Sequence, residues 1–266
     1  MNKLFCSDLD GTLIGKTHLV TDELKRAIEA WKADGNHFVI ATGRLVSSML
    51  YYADEIKSRS YSICCSGGTI YRGEEKIFEE KVPHEYVKKL WDYMAETGGY
   101  CQFYSGGTLV ANKRAEVASR YELLKENLPE GYDIPILYAS KLHRDLPQDV
   151  HKLSFTFKDE LEGGEVLKAL GPLEGVKGFK SLAYLYDIVS EKTDKGVAIK
   201  ELMKYLDVDE VYVAGDNEND IGMFEHFENS FCVNTAPQHV QDQAKWIIES
   251  PDEEGLSKAI WKLLGQ

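Results

Sequence analysis

Short, continuous apolar runs recur near the beginning and near the end of the chain. Leu4-Phe5-Cys6, Phe38-Val39-Ile40-Ala41, Tyr61-Ser62-Ile63-Cys64-Cys65 and Val211-Tyr212-Val213-Ala214 carry few polar residues. Runs of this length read as strands buried on both faces, the pattern of a parallel sheet covered by helices. Segments of helical period lie between them. Leu24, Ala27, Ile28 and Trp31 share one helical face, opened by Thr21-Asp22-Glu23 and stopped by Gly35. Thr21 suits an N-cap, and the two acids suit the positive end of the helix. A second helix is expected from Arg44 to about Ile56, and another carries Val197, Ile199, Leu202 and Met203. Strand and helix in alternation predict an α/β fold.

The middle of the chain has a different rhythm. Thr69-Ile70-Tyr71 and Lys76-Ile77-Phe78 flank a turn at Gly73, which predicts a hairpin. Pro83 opens a helix that Gly98-Gly99 ends. Tyr100–Tyr104 and Thr108–Ala111 form a second hairpin about Ser105-Gly106-Gly107, and Glu116 to about Asn127 is helical. His151 to Phe157 alternates polar and apolar residues, predicting a half-exposed antiparallel strand. A helix at about 161–170 and a strand near 182–188 complete this region. The Pro- and charge-rich stretches 128–135 and 142–150 read as surface connections. The expected division is therefore a core of 1–81 and 185–266, with an inserted α+β domain over 82–184.

Composition narrows the class. With 266 residues and 43% hydrophobic content the chain can bury ordinary cores. A formal net charge of −13 argues against nucleic acid and anionic membrane as partners, since both require basic surface. A small anionic substrate is still compatible, because a metal and a few lysines reverse the field locally. The five cysteines, Cys6, Cys64, Cys65, Cys101 and Cys232, lack C-x-x-C spacing and read as buried structural thiols of a reducing compartment. No charged-then-apolar leader opens the sequence, and no apolar run reaches roughly 18 residues, so a cytoplasmic location is expected. Oligomeric state is not readable.

The polar clusters fall at the ends of the predicted elements. Asp8-Leu9-Asp10-Gly11-Thr12-Leu13 follows the first strand, and Thr42-Gly43-Arg44 the second. Gly215-Asp216-Asn217-Glu218-Asn219-Asp220 follows a later strand, and Lys195 lies near a helix start. Open α/β sheets bind ligands outside the carboxyl ends of their strands, and helix N-termini favour anions. Strand alternation predicts that Asp8 and Asp10 point the same way, two like charges that call for a cation. A calcium loop would require Gly and Glu where Leu13 and Leu19 stand. Phosphoryl transfer fits better. Asp8, Asp10 and Asp216 can hold Mg²⁺, while Lys195, the Thr42 hydroxyl and backbone N–H groups can hold phosphate oxygens. One aspartate is then available to attack phosphorus and a second to manage the proton.

These four segments, in this order, resemble the four motifs of the haloacid dehalogenase superfamily of phosphatases, and the resemblance covers nearly the whole chain. The insertion resembles the type IIB cap of Cof-type sugar phosphatases. The resemblance implies a Rossmann-like parallel sheet core, a Mg²⁺ cofactor and a small phosphorylated metabolite as substrate, with the cap setting specificity. It implies Asp8 as nucleophile and metal ligand. Asp10 becomes general acid/base, touching the metal through its carbonyl. Asp216 completes the protein ligands with Asp220 in support. Leu9 (through its N–H), Thr42, Gly43, Lys195 and Asn219 become phosphate contacts. Arg44 is implied to face the substrate; a surface ion pair is the plainer reading.

Two features depart from the family pattern. Ser66-Gly67-Gly68 stands where many Cof-type members have Asn before the glycine pair. The stretch Ser190-Glu191-Lys192-Thr193-Asp194 is unusually charged, and the Lys-Gly pair favours Lys195 over Lys192. Asn217, Glu218, His18 and His37 read as solvated loop or turn residues. Two alternative functions remain: a hexose phosphate phosphomutase, which would need cap arginines such as Arg114, Arg120 and Arg144, and a non-catalytic phospholigand sensor.

Overall fold

The computed structural model describes residues 2–139 and 146–266. Arg144 and the first part of the connection expected at 142–150 lie outside them. In chain order the elements are β1 (Lys3–Ser7), α1 (Asp22–Ala33), β2 (His37–Ala41), α2 (Leu50–Glu55), β3 (Tyr61–Cys64), β4 (Thr69–Arg72), β5 (Glu75–Glu79), α3 (His84–Thr97), β6 (Cys101–Ser105), β7 (Thr108–Ala111), α4 (Glu116–Glu126), β8 (Ile136–Tyr138), β9 (Val150–Thr156), α5 (Glu160–Leu170), β10 (Val176–Leu182), β11 (Leu185–Ser190), α6 (Lys195–Met203), β12 (Glu210–Gly215), α7 (Ile221–His226), β13 (Asn229–Val233), α8 (Gln238–Gln241), β14 (Trp246–Ile248) and α9 (Gly255–Leu263). They divide into two compact units. One holds residues 1–44, 49–78 and 194–266; the other holds 45–48 and 79–193.

Among the described residues, the first unit has an eight-stranded sheet in the order β14-β13-β12-β1-β2-β3-β4-β5. The strands β14 to β3 run parallel, and β4 is antiparallel to β3. Alternation along β1 sends Leu4 and Cys6 to one face, where they pack with Ala198, Ile199 and Leu202 of α6 and with Met223 and Phe224 of α7. Phe5 goes to the other face, edge-on to Trp31 of α1 and stacked beside Phe38, Tyr212 and Phe231. Both faces are apolar, which is why these strands are continuous hydrophobic runs. Thr21 caps α1 by accepting from the Leu24 N–H at 3.1 Å. The chain builds β2 and β3 on one side of β1, then returns to build β12 on the other. This reversal creates a crevice at the carboxyl ends of β1 and β12.

Among its described residues, the second unit has a six-stranded sheet in the order β10-β11-β9-β6-β7-β8, antiparallel except for β7–β8. Tyr86, Val87, Leu90, Trp91 and Met94 of α3, with Val166 and Leu170 of α5, pack against Phe103, Leu153, Phe155 and Ile188. The strand β9 differs from expectation. His151, Lys152 and Ser154 are all buried, so its polar face is covered as well. A polar network makes this tolerable. Lys152 Nζ lies 3.2 Å from Asp187 and 4.1 Å from the Tyr104 ring centre, and Ser154 donates to Asp187 at 2.7 Å. Tyr100 donates to Gln102, Gln102 donates to the Tyr104 hydroxyl, and Tyr104 and Tyr121 share a bond at 3.0 Å. The strand expected near 182–188 is the second arm of the hairpin β10–β11, whose first arm the periodicity did not mark. The helix expected after Arg44 is a 3₁₀ turn at Val46–Ser48 followed by the short α2. The five cysteines are buried, and no disulfide joins any two of them.

Candidate active site

The strand β1 ends at Ser7, one residue before the first aspartate. The Asp8 N–H still donates to Ala214 at 2.8 Å, continuing the pairing with β12. The chain then coils: Leu13 and Ile14 both donate to the Leu9 carbonyl, and Gly11 donates to Ile14. Gly11 has φ +84°, and a Cβ there would sit 2.3 Å from Asp216 Oδ2. Only glycine permits that approach. The coil also separates two side chains that strand alternation had placed together. Asp8 is buried, whereas the Asp10 side chain is 46% exposed.

A buried cluster forms around Asp8. Asp194 caps α6, accepting from Gly196 at 2.7 Å and Val197 at 3.1 Å, so Lys195 becomes its first residue. The Lys195 side chain is fully buried; its Nζ reaches Asp8 Oδ1 at 2.5 Å and Asp220 Oδ1 at 2.7 Å. Asp220 Oδ2 accepts from the N–H groups of Asp216 at 2.9 Å and Asn217 at 3.0 Å, which shapes the loop after β12. Thr12 donates to Asp216 Oδ1 at 3.2 Å. One carboxylate oxygen from each of Asp8, Asp216 and Asp220 lies within 4.8 Å of the others.

Among the described residues the charges of this cluster do not balance. Three carboxylates crowd around one ammonium. Burial raises the Asp8 pKa well above the usual carboxylate range; Lys195 opposes the shift, while Asp220, Asp216 and Asp10 add to it. Burial likewise lifts Asp216 to about 7, helped by Asp220 and opposed by Lys195 and Thr12. Burial disfavours the Lys195 ammonium, but Asp220 and Asp8 outweigh that and raise its pKa. A hard divalent cation would relieve this excess, and its preferred ligands are carboxylate oxygens. The donor set therefore fits a divalent metal.

The other expected residues surround the cluster in different ways. Thr42 follows β2 directly and is buried; its Oγ1 accepts from the Arg44 N–H at 3.1 Å. A hydroxyl that accepts still carries a proton to donate. Gly43 is half-buried, and Asn219 lies half-buried in the 3₁₀ turn Glu218–Asp220. Arg44 grips Asp10, through Nε to Oδ2 at 2.7 Å and Nη2 to Oδ1. Asn217 is the N-cap of that turn, and Glu218 pairs with His239. Thr12, Asp194 and Tyr52, which lies under the Arg44 guanidinium at 5.1 Å, were not singled out from sequence. An Asp immediately before a Lys-Gly helix start is a readable N-cap signal; Thr12 reaches Asp216 across 204 positions, and neither it nor Tyr52 carries a local signature.

Cys65, Ser66 and Gly67 have consecutive positive φ values of 53°, 61° and 98°. Ser66 donates its N–H to Thr42 at 3.0 Å, but its buried hydroxyl has no hydrogen-bond partner among the described residues. Asn tolerates the left-handed region better than Ser, so Ser66 carries a backbone cost here.

The family described as haloacid dehalogenase-like hydrolase matches residues 5–260. Among curated proteins, the 5-amino-6-(5-phospho-D-ribitylamino)uracil phosphatase YcsE of Bacillus subtilis is 25% identical over 261 residues, covering 97% of this chain and 94% of its own. A haloacid dehalogenase-like hydrolase from Bacteroides thetaiotaomicron shares the fold at a TM-score of 0.85 and 23% identity, over 99% of this chain and 100% of its own. A sugar phosphatase of HAD subclass IIB shares it at 0.79 and 24% identity, over 99% of each chain. A parallel core sheet with an α+β insertion, an acidic cluster at the β1/β12 crevice and a family match spanning nearly every residue lead to one conclusion: the chain belongs to the haloacid dehalogenase-like hydrolases, among their phosphatases.

Proposed function

We propose that this protein is a Mg²⁺-dependent phosphatase of small phosphorylated metabolites, sugar or polyol phosphates foremost, working through an aspartyl phosphate. One observation carries the reading: Asp8, Lys195, Asp216 and Asp220, from three distant segments, form a buried cluster with more negative charge than its one cation can offset. A merely structural cluster would be balanced. Asp8 would attack phosphorus while the P–O bond to the leaving oxygen breaks. Asp10 would give that oxygen a proton, then take one from the water that releases phosphate from Asp8. Asp8, Asp216 and the Asp10 carbonyl would hold Mg²⁺, which supplies charge to offset that of the phosphoryl oxygens. Lys195, Thr42 and the N–H groups of Leu9 and Gly43, with Asn219, would hold those oxygens. Asp220 would anchor Lys195 and the loop that carries Asp216. The inserted unit would act as the cap that recognises the leaving group.

The substrate class rests on chemistry shared by two relatives, one named for a ribityl phosphate and one for sugars. Both are polyhydroxylated phosphate monoesters. Among the described residues, the cap arginines named for a mutase are engaged elsewhere: Arg114 pairs with Glu122 at 3.0 Å and Arg120 with Glu116 at 3.6 Å. The test is phosphate release from p-nitrophenyl phosphate and a panel of sugar and polyol phosphates, with Mg²⁺ and with chelator. Turnover should need Mg²⁺, and Asp8→Asn should lose more than about 10⁴-fold in kcat/KM, as removal of a covalent nucleophile does. Acid-quenched wild-type enzyme should carry one phosphoryl group, absent from Asp8→Asn. Substantial activity in that variant would sink the nucleophile assignment.

A further inference from the structure

Asp10 and Arg44 stand 34 positions apart and form a two-point contact at the edge of the acidic cluster. The exposures of the two partners differ. The Asp10 side chain is 46% exposed, the Arg44 side chain only 12%. Most exposed ion pairs fix little, because both chains are mobile. Here one partner is fixed by its surroundings. The Arg44 N–H donates to Thr42 Oγ1 at 3.1 Å, and its carbonyl accepts from the Cys65 N–H at 2.9 Å. Its guanidinium rests 5.1 Å from the ring centre of Tyr52, which is buried. The backbone of Arg44 is thus tied to the ends of β2 and β3, and its head lies on an aromatic platform. A planar fork held this way sets the plane of the carboxylate it grips.

We infer that Arg44 is a positioning residue for Asp10: it holds the carboxyl group in the orientation needed for proton transfer, and does not itself bind substrate. This rests on the reading of Asp10 as general acid/base. Proton transfer demands tight alignment, and a side chain as exposed as Asp10 would otherwise sample several rotamers. The fork engages both carboxylate oxygens and leaves a lone pair on each. In the first half-reaction the Asp10 proton passes to the ester oxygen as the P–O bond breaks and the bond to Asp8 forms. In the second, a water proton returns to Asp10 as that water displaces Asp8 from phosphorus. Arg44 is unchanged in both.

The dependence on leaving group separates this role from phosphate binding. The value of kcat/KM reports the step that expels the leaving group. An alkoxide leaving from a sugar phosphate needs the proton; p-nitrophenolate scarcely does. Arg44→Gln should lower kcat/KM for a sugar or polyol phosphate on the order of 10²-fold, the cost of a misplaced group, and for p-nitrophenyl phosphate by no more than about threefold. Arg44→Lys, which keeps the charge but not the fork, should show the same selectivity in weaker form and guards against a folding defect in the first variant. Asp10→Asn should show that selectivity at roughly 10²–10⁴-fold. Equal losses on both substrates in the Arg44 variants would overturn the inference in favour of substrate binding, and no loss on either would reduce the contact to a surface ion pair. If Asp10→Asn itself lacks the selectivity, the acid/base reading fails instead.

Discussion

Each unit of this protein buries a lysine against aspartate, and the two sites differ in the carboxylates that the described residues draw together. In the second unit Lys152 faces Asp187, beside the Ser154 hydroxyl and the Tyr104 ring. In the first, Lys195 faces Asp8 and Asp220, with Asp216 close enough to share a cation with both. A matched, hydrogen-bonded pair is what a stable interior tolerates. An excess of carboxylates raises their pKa values and costs stability unless a ligand arrives, which is how functional sites differ from structural ones. Burial of a lysine alone does not distinguish the sites; the three carboxylates grouped beside Lys195 do.

Substitutions at the two sites should therefore act in opposite ways. The larger of these two effects is expected from Asp216→Asn. It should lower kcat/KM for p-nitrophenyl phosphate about 10³-fold, roughly 4 kcal/mol of transition-state stabilisation. The metal-free variant should nonetheless unfold at the same temperature as wild type or higher, because one repelling charge is gone. A clear fall in its thermal midpoint would mean that Asp216 is structural. Asp187→Asn should do the reverse to stability, taking a buried carboxylate from the Lys152 ammonium and costing about 3 kcal/mol by denaturant titration. A loss under about 1 kcal/mol would show that this pair is not the anchor its burial suggests.

The effect of pH on stability sharpens the same contrast. Asp216 is lifted to about 7 by burial and by Asp220. A carboxyl raised in the folded state favours folding at low pH, and that contribution disappears as pH climbs from about 4 through 7. The metal-free protein should lose stability over that interval from this group. Mg²⁺ competes with the proton, so the rise in midpoint that Mg²⁺ produces should be small at pH 5 and grow toward pH 8. A Mg²⁺ effect that shrinks with rising pH would reverse the assigned sign. The smallest effect belongs to the strained turn. Ser66→Gly removes the left-handed cost and the unpartnered hydroxyl, and should raise stability by about 1 kcal/mol, or some 2–4 °C in midpoint. An unchanged or lower midpoint would mean that the hydroxyl finds a partner in solution.

Much of this was legible in the sequence because it is local. Apolar runs such as Val211–Ala214 mark buried parallel strands, and Asp8–Leu13 and Gly215–Asp220 follow strand ends with glycine to turn the chain. What escaped was long-range or short. The grip of Arg44 on Asp10 spans 34 positions, and the bond from Lys195 to Asp220 spans 25. No period encodes either. The strand β9 was read as half-exposed because alternation reports polarity, and polarity implies solvent only when no partner is at hand; Asp187, 35 positions on, supplies one for Lys152. The three-residue strands β8 and β14 are too short to carry a pattern. The coil after Ser7 overrode strand alternation, which separated Asp8 from Asp10.

The charge contrast between the two lysine sites is tested most directly by one thermal titration with Mg²⁺ at pH 7.5, run on wild type, Asp216→Asn and Asp187→Asn. A ligand that binds only the folded state raises the midpoint with concentration. The wild-type midpoint should climb with Mg²⁺, Asp187→Asn should climb in parallel from a lower start, and Asp216→Asn should respond little or not at all. An equal response in Asp216→Asn and wild type would contradict the claim that the unbalanced carboxylates of the β1/β12 crevice are a cation site.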